Sequence, residues 1–319
     1  MLGIDVSKAS LAVCLLKQST AQELTGEFPN TPAGHLQLQR WLAQHDGAQT
    51  PACMESTGPY HRSLALFVFQ GGHPVSIVNP RRIKAYSVSR LSRAKTDGVD
   101  ARLIAQFGLR EDLPIWTPPT AARVKLRDLQ RRLDEIGRTR CQHQQRCEHC
   151  QDADILASLA REASFWSEEE QRLHRQLESV LGDSAELGED VALLTSIPGI
   201  GALTARRLVA SVDIKRFENA ASFAAYLGVM PREHSSGTSV HKQPRMSKMG
   251  SKALRTALYF PAMQATRCNT QIRAQYQRLV AAGKPKKSAI GAAMRKLAQQ
   301  IYGVWSSRLP YNPTLGLAA

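Results

Sequence analysis

Long apolar runs are absent from this sequence of 319 residues. No stretch of about 18 consecutive apolar residues occurs, so the sequence predicts no helix that spans a bilayer and no membrane partner. Met1 and Leu2 lead directly into Gly-Ile-Asp, without the basic and apolar segments that a secretory signal requires. We therefore expect a cytoplasmic protein.

Cysteine is also scarce, and its few positions are scattered. Six cysteines in a chain of this length are too few for a disulfide framework, so reduced thiols are expected. Cys147 and Cys150 have the spacing of a zinc ligand pair, with His143 and His149 nearby. No second pair follows at zinc-finger spacing, and the surrounding pattern favours a polar helix without metal.

Acidic residues are rare in the last third of the chain. The net charge of the whole sequence is +15; residues 191–319 contain 19 basic and 3 acidic residues (+16), residues 1–110 carry +5 and residues 111–190 carry −6. A basic excess of this density is typical of a protein that binds a polyanion, because each cation that neutralises a phosphate releases a counterion. DNA or RNA is the expected partner, and a generic solvated basic surface is the alternative.

The hydrophobic pattern of the first 80 residues predicts an α/β domain. Strands come first, as a hairpin over residues 2–6 and 11–16, and then alternate with helices. The remaining elements are predicted at residues 22–28 (strand), 32–44 (helix), 51–55 (strand), 59–70 (helix) and 74–78 (strand).

The middle of the sequence predicts a helical hairpin or coiled coil. Apolar residues recur there at three- and four-residue spacing on charged segments, as in a coiled-coil seam. These residues are Leu126, Leu129, Leu133 and Ile136, followed by Leu173, Leu177, Val180 and Leu181. We interpret this acidic part as a spacer or dimerisation arm, and the Ala-, Leu- and Arg-rich sequence beyond Val191 as a compact helical domain.

Four carboxylates stand in positions that favour metal binding. Asp5 and Glu55 interrupt strongly apolar strands, where a buried charge is costly unless something pairs with it. Asp97 and Asp100 open a helix at a spacing that places them on one face. Convergent carboxylates repel one another unless cations lie between them, and oxygen ligands of this kind select Mg²⁺ or Mn²⁺. Asp97 taken alone is more easily explained as a helix N-cap.

Two glycines mark a candidate phosphate-binding turn in the basic third. The segment Ile-Pro-Gly199-Ile-Gly201 precedes a helical pattern, as in a helix-hairpin-helix motif. Its glycines would let backbone N–H groups approach a phosphate, and the following helix would offer its N-terminus. Arg206 and Arg207 favour this interpretation, while a plain interhelical turn remains the alternative.

A polar loop with a Ser-Gly step follows further along the chain. Ser236-Gly237 would present a hydroxyl with little steric cover, although Ser236 taken alone is most easily explained as a turn residue. Basic residues on both sides would hold a phosphate and its developing charge. They are Arg232, Lys242, Arg245, Lys248, Lys252 and Arg255.

Together these motifs resemble the DEDD-type insertion-sequence transposases, the IS110 group. The motifs are Gly3-Ile-Asp-Val-Ser-Lys8, Met54-Glu-Ser-Thr-Gly-Pro-Tyr60, Val78-Asn-Pro80, Lys95-Thr-Asp-Gly-Val-Asp-Ala-Arg102, the Ile-Pro-Gly-Ile-Gly turn, the Ser-Gly loop, Arg245-Met-Ser-Lys-Met-Gly250 and Gly291-Ala-Ala-Met-Arg-Lys-Leu-Ala298. The resemblance runs from residue 3 to about Gly303. The very short leader before Gly3 departs from the pattern, so the true start codon is an open point.

The resemblance implies a fold and a division into domains. It implies an RNase H-like (RuvC-like) α/β domain over residues 1–115, a helical coiled-coil spacer or dimerisation arm over residues 116–188, and a basic, mostly α-helical transposase domain over residues 189–319.

The resemblance also implies a mechanism. Asp5, Glu55, Asp97 and Asp100 would bind divalent metal, and Ser236 would attack DNA to form a covalent phosphoserine link; Ser235 and Ser239 are the neighbouring candidates. It further implies a bridge RNA that pairs with donor and target DNA, assembly into dimers and tetramers, and a location at the nucleoid DNA.

Two other functions are compatible with the sequence. A RuvC-like junction-resolving nuclease would use the same four acids to activate water and would need no serine. A non-enzymatic nucleic-acid-binding protein would keep the basic domain and dispense with the chemistry.

Overall fold

The computed structural model describes residues 1–17, 22–90, 97–236, 240–247 and 249–314, and of residues 97, 232–236 and 240–245 the backbone alone. The chain forms two compact units, Met1–Pro118 and Pro119–Ala319. Among the described residues, no helix has the length and apolar character needed to cross a membrane.

The first unit contains a mixed five-stranded sheet, as the sequence predicts. Its strands are β1 (Leu2–Val6), β2 (Ser10–Lys17), β3 (Gln22–Pro29), β4 (Ala52–Glu55) and β5 (Val75–Val78). The strand order is β3-β2-β1-β4-β5; β2 pairs antiparallel with β1 and β3, whereas β1, β4 and β5 run parallel. Its helices are α1 (Pro32–Gln44), α2 (His61–Gln70), α3 (Pro80–Ser89) and α4 (Asp97–Arg110).

Capping residues fix where two of these helices begin. Thr31 accepts a hydrogen bond from the Gly34 N–H ahead of α1, and Asn79 accepts one from the Arg81 N–H ahead of α3. Each cap is followed by a proline at the first helical position, where the missing N–H costs nothing.

Helices cover both faces of the sheet. Leu2, Ile4 and Val6 point toward the core that α1 and α2 share with one face. Because successive side chains of a strand alternate, Gly3 and Asp5 lie on the opposite face, where Ala101 and Ala105 of α4 pack. The alternation therefore assigns Asp5 to the face that α4 covers.

The second unit is mostly helical. Its helices are α5 (Ala121–His149), α6 (Ala153–Asp183), α7 (Ala185–Thr195), α8 (Ala202–Ser211), α9 (Ala220–Leu227), α10 (Lys252–Cys268), α11 (Thr270–Ala281) and α12 (Lys286–Ser307), with a 3-10 turn at Ile214–Arg216. Strands β6 (Pro231–Ser236) and β7 (Val240–Met246) form an antiparallel hairpin between α9 and α10. The predicted polar loop around Ser236 is thus a hairpin, a correction to the sequence interpretation.

Helices α5 and α6 form the predicted helical hairpin, but the apolar residues of α5 pack inside the chain and not against a second copy. Leu126, Leu129, Leu133 and Ile136 are buried within the chain, in a cluster that continues through α6, α7 and α8 to Trp305 of α12. They are not available for contact with a second copy, which corrects our expectation of a dimer seam at this place. Further out, His143 lies 3.2 Å from Glu162 and links the two helices.

Candidate active site and nucleic-acid interface

Asp5 and Glu55 lie at the same edge of the first sheet. In the parallel pair formed by β1 and β4, Ile4 is the register partner of Met54, so the next residues along both strands are Asp5 and Glu55. Both side chains are partly buried. Since Cys53 packs with α4 residues, alternation also assigns Glu55 to the face that α4 covers.

The close approach of α4 depends on Gly3. A Cβ atom at Gly3 would overlap the backbone oxygen of Ala101 and the backbone nitrogen of Ala105. Only a residue without a side chain allows α4 to lie this close to β1. The helix consequently brings its first turn, with Asp100, toward the edge where β1 and β4 end.

The electrostatics of Glu55 link three of the four predicted acids. Burial raises the pKa of the Glu55 carboxyl above its ordinary value, and the negative charges of Asp5 and Asp100 raise it further. Such coupling requires the three carboxylates to share one neighbourhood. Asp5 has an interaction partner of its own. Asp5 and Asp100 are therefore near enough to influence the charge of Glu55.

Within the described residues, no group of three or more His, Cys, Asp or Glu side chains lies close enough together to hold a metal ion. Asp97, the fourth predicted ligand, is described by its backbone alone, which begins α4. The donor chemistry fits a hard divalent cation, because mutually repelling carboxylate oxygens are what Mg²⁺ and Mn²⁺ bind. The neighbouring Cys53 does not compete, since burial raises its thiol pKa to about 12.

Ser236 is the last residue of β6, at the end of the hairpin. Its register partner is Val240, and Ser235 pairs with His241. Gly237 and Ser239 lie outside the described residues, as does Lys248. Backbone positions place Arg232 opposite Arg245, and His234 opposite Lys242, along the same two strands.

Two glycines hold the start of α10 against the end of α9. Gly228 has a φ of 74°, and a Cβ at Gly250 would overlap the Tyr226 and Ala225 carbonyl oxygens. This close contact fixes the position of Ser251, the N-cap of α10. The Ser251 N–H donates a hydrogen bond to the Tyr226 carbonyl oxygen at 2.8 Å. Lys252 is exposed at the first position of α10 and Arg255 is partly buried one turn later.

The glycines of the Ile-Pro-Gly-Ile-Gly turn have different roles. Gly199 has a φ of 104° and packs on α10, where a Cβ would lie 2.8 Å from that of Ala265. Gly201 faces open space and is the N-cap of α8. Gly201 is therefore the glycine that leaves room for a phosphate, whereas Gly199 has a packing role.

Arg206 and Arg207 each contact an acidic side chain. Arg206 lies 2.9 Å from Glu178, and Arg207 makes two hydrogen bonds to one oxygen of Asp134. The two arginines predicted to bind phosphate therefore also hold α8 against the hairpin of α5 and α6. A bound phosphate would compete with the two acidic side chains for these arginines.

A buried amide behind the turn was missed by the sequence analysis. Asn269 is fully buried, and its amide donates to Gln300 at 2.9 Å and to the Pro198 carbonyl at 3.5 Å. Tyr311 closes the network: its hydroxyl donates to Asn269 and its N–H to the Ser196 hydroxyl. The Asn-x-x pattern ahead of α11 signals an N-cap, but nothing in the sequence signals the contact with Pro198.

The chain is similar to transposases and to a protein that inverts a gene. A DEDD-type IS110 family model described as "Transposase" matches residues 2–153, and a model described as "Transposase IS116/IS110/IS902 family" matches residues 191–277. The "Pilin gene-inverting protein" of Moraxella bovis is 32% identical over 315 residues, covering 98% of this chain and 97% of that protein. The "Transposase for insertion sequence element IS1111A" of Coxiella burnetii is 29% identical over 240 residues, 64% of this chain and 63% of that protein.

Carboxylates at a sheet edge, a basic helical unit and these matches define an enzyme that rearranges DNA, a transposase or recombinase. The chain belongs to the IS110 family of transposases.

Proposed function

We propose that this enzyme cuts and rejoins DNA through two sets of groups, a divalent-metal site at Asp5, Glu55, Asp97 and Asp100, and a nucleophilic hydroxyl at Ser236. The observation that carries the proposal is the electrostatic coupling of Glu55 to Asp5 and Asp100 at the edge of the sheet. An acid whose pKa is raised by neighbouring negative charges at the edge of a sheet is a candidate functional group.

We also propose that the first domain has an RNase H-like (RuvC-like) fold. It is supported by the mixed five-stranded sheet, with helices on both faces and acids at the ends of two neighbouring parallel strands. The three-part division at residues 115 and 188 is part of the same proposal.

The carboxylates would hold Mg²⁺ or Mn²⁺. When bound, the metal supplies charge neutralisation at the phosphate and lowers the pKa of a bound hydroxyl or water. The carboxylates themselves orient the cation, and the apolar strand residues behind them, Ile4 and Met54, exclude water from the sheet side.

Ser236 would form the covalent intermediate. The serine hydroxyl would lose its proton as its oxygen bonds to phosphorus, one phosphorus–oxygen bond of the DNA strand would break, and the leaving oxygen would take up a proton to become the hydroxyl of the strand end. Attack by the hydroxyl of another strand reverses these bonds and frees the serine. Its position at the tip of a two-stranded hairpin supports this role, since a tip residue can reach a strand of DNA.

A bridge RNA and assembly into dimers or tetramers complete the proposal, with the nucleoid DNA of the cytoplasm as the place of action. They are supported by the family membership and by the basic charge of residues 191–319. With the 126–136 seam buried, a dimer contact must lie elsewhere.

Inversion of a DNA segment is a second candidate outcome. The Moraxella bovis relative is named a pilin gene-inverting protein, and the 32% identity extends over 98% of this chain. Inversion and transposition use the same cutting and rejoining steps, so the arrangement of DNA sites would decide between them.

The test is a denaturing gel of the purified protein with Mg²⁺, flanking element DNA, a target duplex and transcribed flank RNA. A covalent protein–DNA band that Ser236→Ala abolishes and Ser235→Ala retains would support the serine mechanism. Cleavage without an adduct, in the wild type and in Ser236→Ala alike, would instead support the junction-nuclease mechanism with activated water. No cleavage by the wild type, with nucleic-acid binding unchanged by alanine at all four acids, would identify a binding protein.

A further inference from the structure

Helix α10 presents an aromatic pair to solvent. Phe260 is 68% exposed and Tyr259 37% exposed, and their rings lie 5.6 Å apart in an edge-to-face arrangement. The opposite face of α10 is buried through Leu254, Leu258 and Ala262. The helix therefore has enough apolar contact without these two rings, and packing within the chain does not explain their presence.

Cations flank the pair on the same helical face. Lys252 stands seven residues before Tyr259, and Arg267 seven residues after Phe260. At a rise of 1.5 Å per residue each cation lies about 11 Å along the axis from the nearer ring, and seven-residue steps return to nearly the same side of the helix. We call Lys252, Tyr259, Phe260 and Arg267 the aromatic stripe.

The part of the sequence that contains the aromatic stripe has no acidic residue. Glu233 is the last Asp or Glu of the chain. Among the ion pairs of the described residues, Arg308 is the one cation beyond that position with a carboxylate partner, so neither Lys252 nor Arg267 appears in them. A second copy of this surface would be repelled, whereas a polyanion would be attracted.

The chemistry of the stripe matches an unpaired nucleic-acid strand. A duplex hides its base faces, whereas a single strand offers them for stacking on aromatic rings, and its phosphates meet flanking cations. The stripe extends for about 22 Å along the helix, a length of several nucleotides. Strands must leave their duplex when they are exchanged, and DNA is the substrate of this enzyme class.

We propose that the aromatic stripe binds a segment of DNA that is unpaired during strand exchange, with Tyr259 and Phe260 stacking on bases and Lys252 and Arg267 contacting phosphates. This rests on the proposed cutting and rejoining of DNA, but it does not depend on which nucleophile performs it. The stripe is a binding surface: Tyr259, Phe260 and Arg267 take no part in the chemistry, while Lys252 also belongs to the basic set predicted to hold the phosphate near Ser236.

The experiment measures binding of the full chain by fluorescence anisotropy, with labelled oligo(dT), oligo(U) and a duplex of equal length. Phe260→Ala should weaken oligo(dT) binding at least about fivefold, the loss expected when one stacked base is given up. Arg267→Ala should instead reduce the slope of log affinity against log salt by about 0.7. Duplex binding should change little in Phe260→Ala.

Phe165→Ala is the matched control. Phe165 is 57% exposed and paired edge-to-face with Trp166, but it lies on the acidic helix α6. Its removal should leave oligo(dT) affinity unchanged. Thermal unfolding of each variant checks that the fold is intact, as expected for exposed side chains.

Several results would overturn the proposal. Oligo(dT) affinity unchanged in the double variant Tyr259→Ala/Phe260→Ala would refute it, as would an equal loss on the duplex. A loss confined to oligo(U) would identify RNA as the occupant, and a loss of oligomers in light scattering with oligo(dT) binding intact would identify a protein contact. Ser236→Ala should bind oligo(dT) like the wild type, so failure of the serine mechanism and failure of the stripe give different outcomes.

Discussion

Glu55 is the last residue of β4, and the three residues before it are completely or almost completely buried. The ionised carboxylate of Glu55 therefore stands next to an apolar interior, which disfavours a charge. Burial raises the pKa of its carboxyl, and so do Asp5 and Asp100. In the metal-free protein, a carboxyl with a raised pKa stabilises the fold only while it is protonated. That contribution is present at low pH and is lost as the pH rises through the raised pKa.

Glu55→Gln should therefore stabilise the metal-free protein at neutral pH. In chelator at pH 7 we expect its melting temperature to exceed that of the wild type by a few degrees, with the difference disappearing as the pH falls. Added Mg²⁺ should raise the melting temperature of the wild type more than that of the variant. Glu27→Gln removes one exposed charge from the same sheet and should change neither value; a destabilised Glu55→Gln in chelator would contradict our account of the site.

Asp190 presents the opposite case, a buried acid with basic partners. Its side chain is 3% exposed and contacts Arg308 and Arg123, which joins α7 to α5 and to the end of α12. Asp190→Asn would leave Arg123 without its carboxylate and Arg308 with Glu189 alone, and should lower the free energy of unfolding by about 3 kcal/mol.

Glu189→Gln is the control for Asp190, because Glu189 contacts the same Arg308 but is 67% exposed. Its loss should cost less than about 1 kcal/mol. Urea denaturation of both variants gives the comparison, and equal effects would show that burial is not what makes Asp190 important.

At the residue scale, the sequence indicates functional candidates where a residue breaks a pattern. Asp5 and Glu55 stand out because acids rarely interrupt apolar strands, and the register of β1 and β4 puts both at the same edge of the sheet; their role in metal binding stays a prediction. Asn269 could not be identified in this way, because its partners Pro198, Gln300 and Tyr311 are far apart in sequence and no local pattern records their contact.

At the scale of elements, the contact between α4 and β1 determines where the acids stand. Gly3→Ala should force the helix away from the strand, because the added methyl would overlap backbone atoms that cannot rotate aside. We expect the free energy of unfolding to fall by about 1–3 kcal/mol. The rate of DNA cleavage should fall by a larger fraction than the free energy of unfolding does.

Gly98→Ala on the same helix serves as its control. A Cβ at Gly98 meets no atom within 4 Å, so the substitution should be neutral or slightly stabilising. Circular dichroism during urea denaturation would compare the two variants, and a Gly3→Ala protein as stable as the wild type would show that α4 can shift without cost.

Elements with a clear apolar pattern were predicted well, and those without one were not. Strands β1 and β3 alternate in apolar residues, β2 and β4 are continuous apolar runs, and the α5–α6 hairpin follows apolar repeats of three to four residues. Strands β6 and β7 have polar sequences, Pro-Arg-Glu-His-Ser-Ser and Val-His-Lys-Gln-Pro-Arg-Met, in which no face is apolar. Pairing between the two backbones, which a sequence does not display, defines that hairpin.

At the scale of the whole molecule, charge is segregated along the chain. The excess of basic residues after residue 190 predicts that affinity for duplex DNA falls steeply with salt. If six or more phosphates are contacted, affinity should fall about 1000-fold or more between 50 and 200 mM salt. Anisotropy titrations at several salt concentrations measure the slope, and a loss below tenfold would contradict the charge argument.

The six cysteines acquire a practical meaning from their burial. Cys14 and Cys53 lie inside the first unit, and burial raises their pKa to about 11 and about 12, so thiol-reactive dyes should leave them unmodified. Cys141 and Cys268 are exposed. Cys268 follows Arg267 directly, so in a variant whose other accessible thiols are replaced, a fluorophore there would report strand binding at the aromatic stripe in real time.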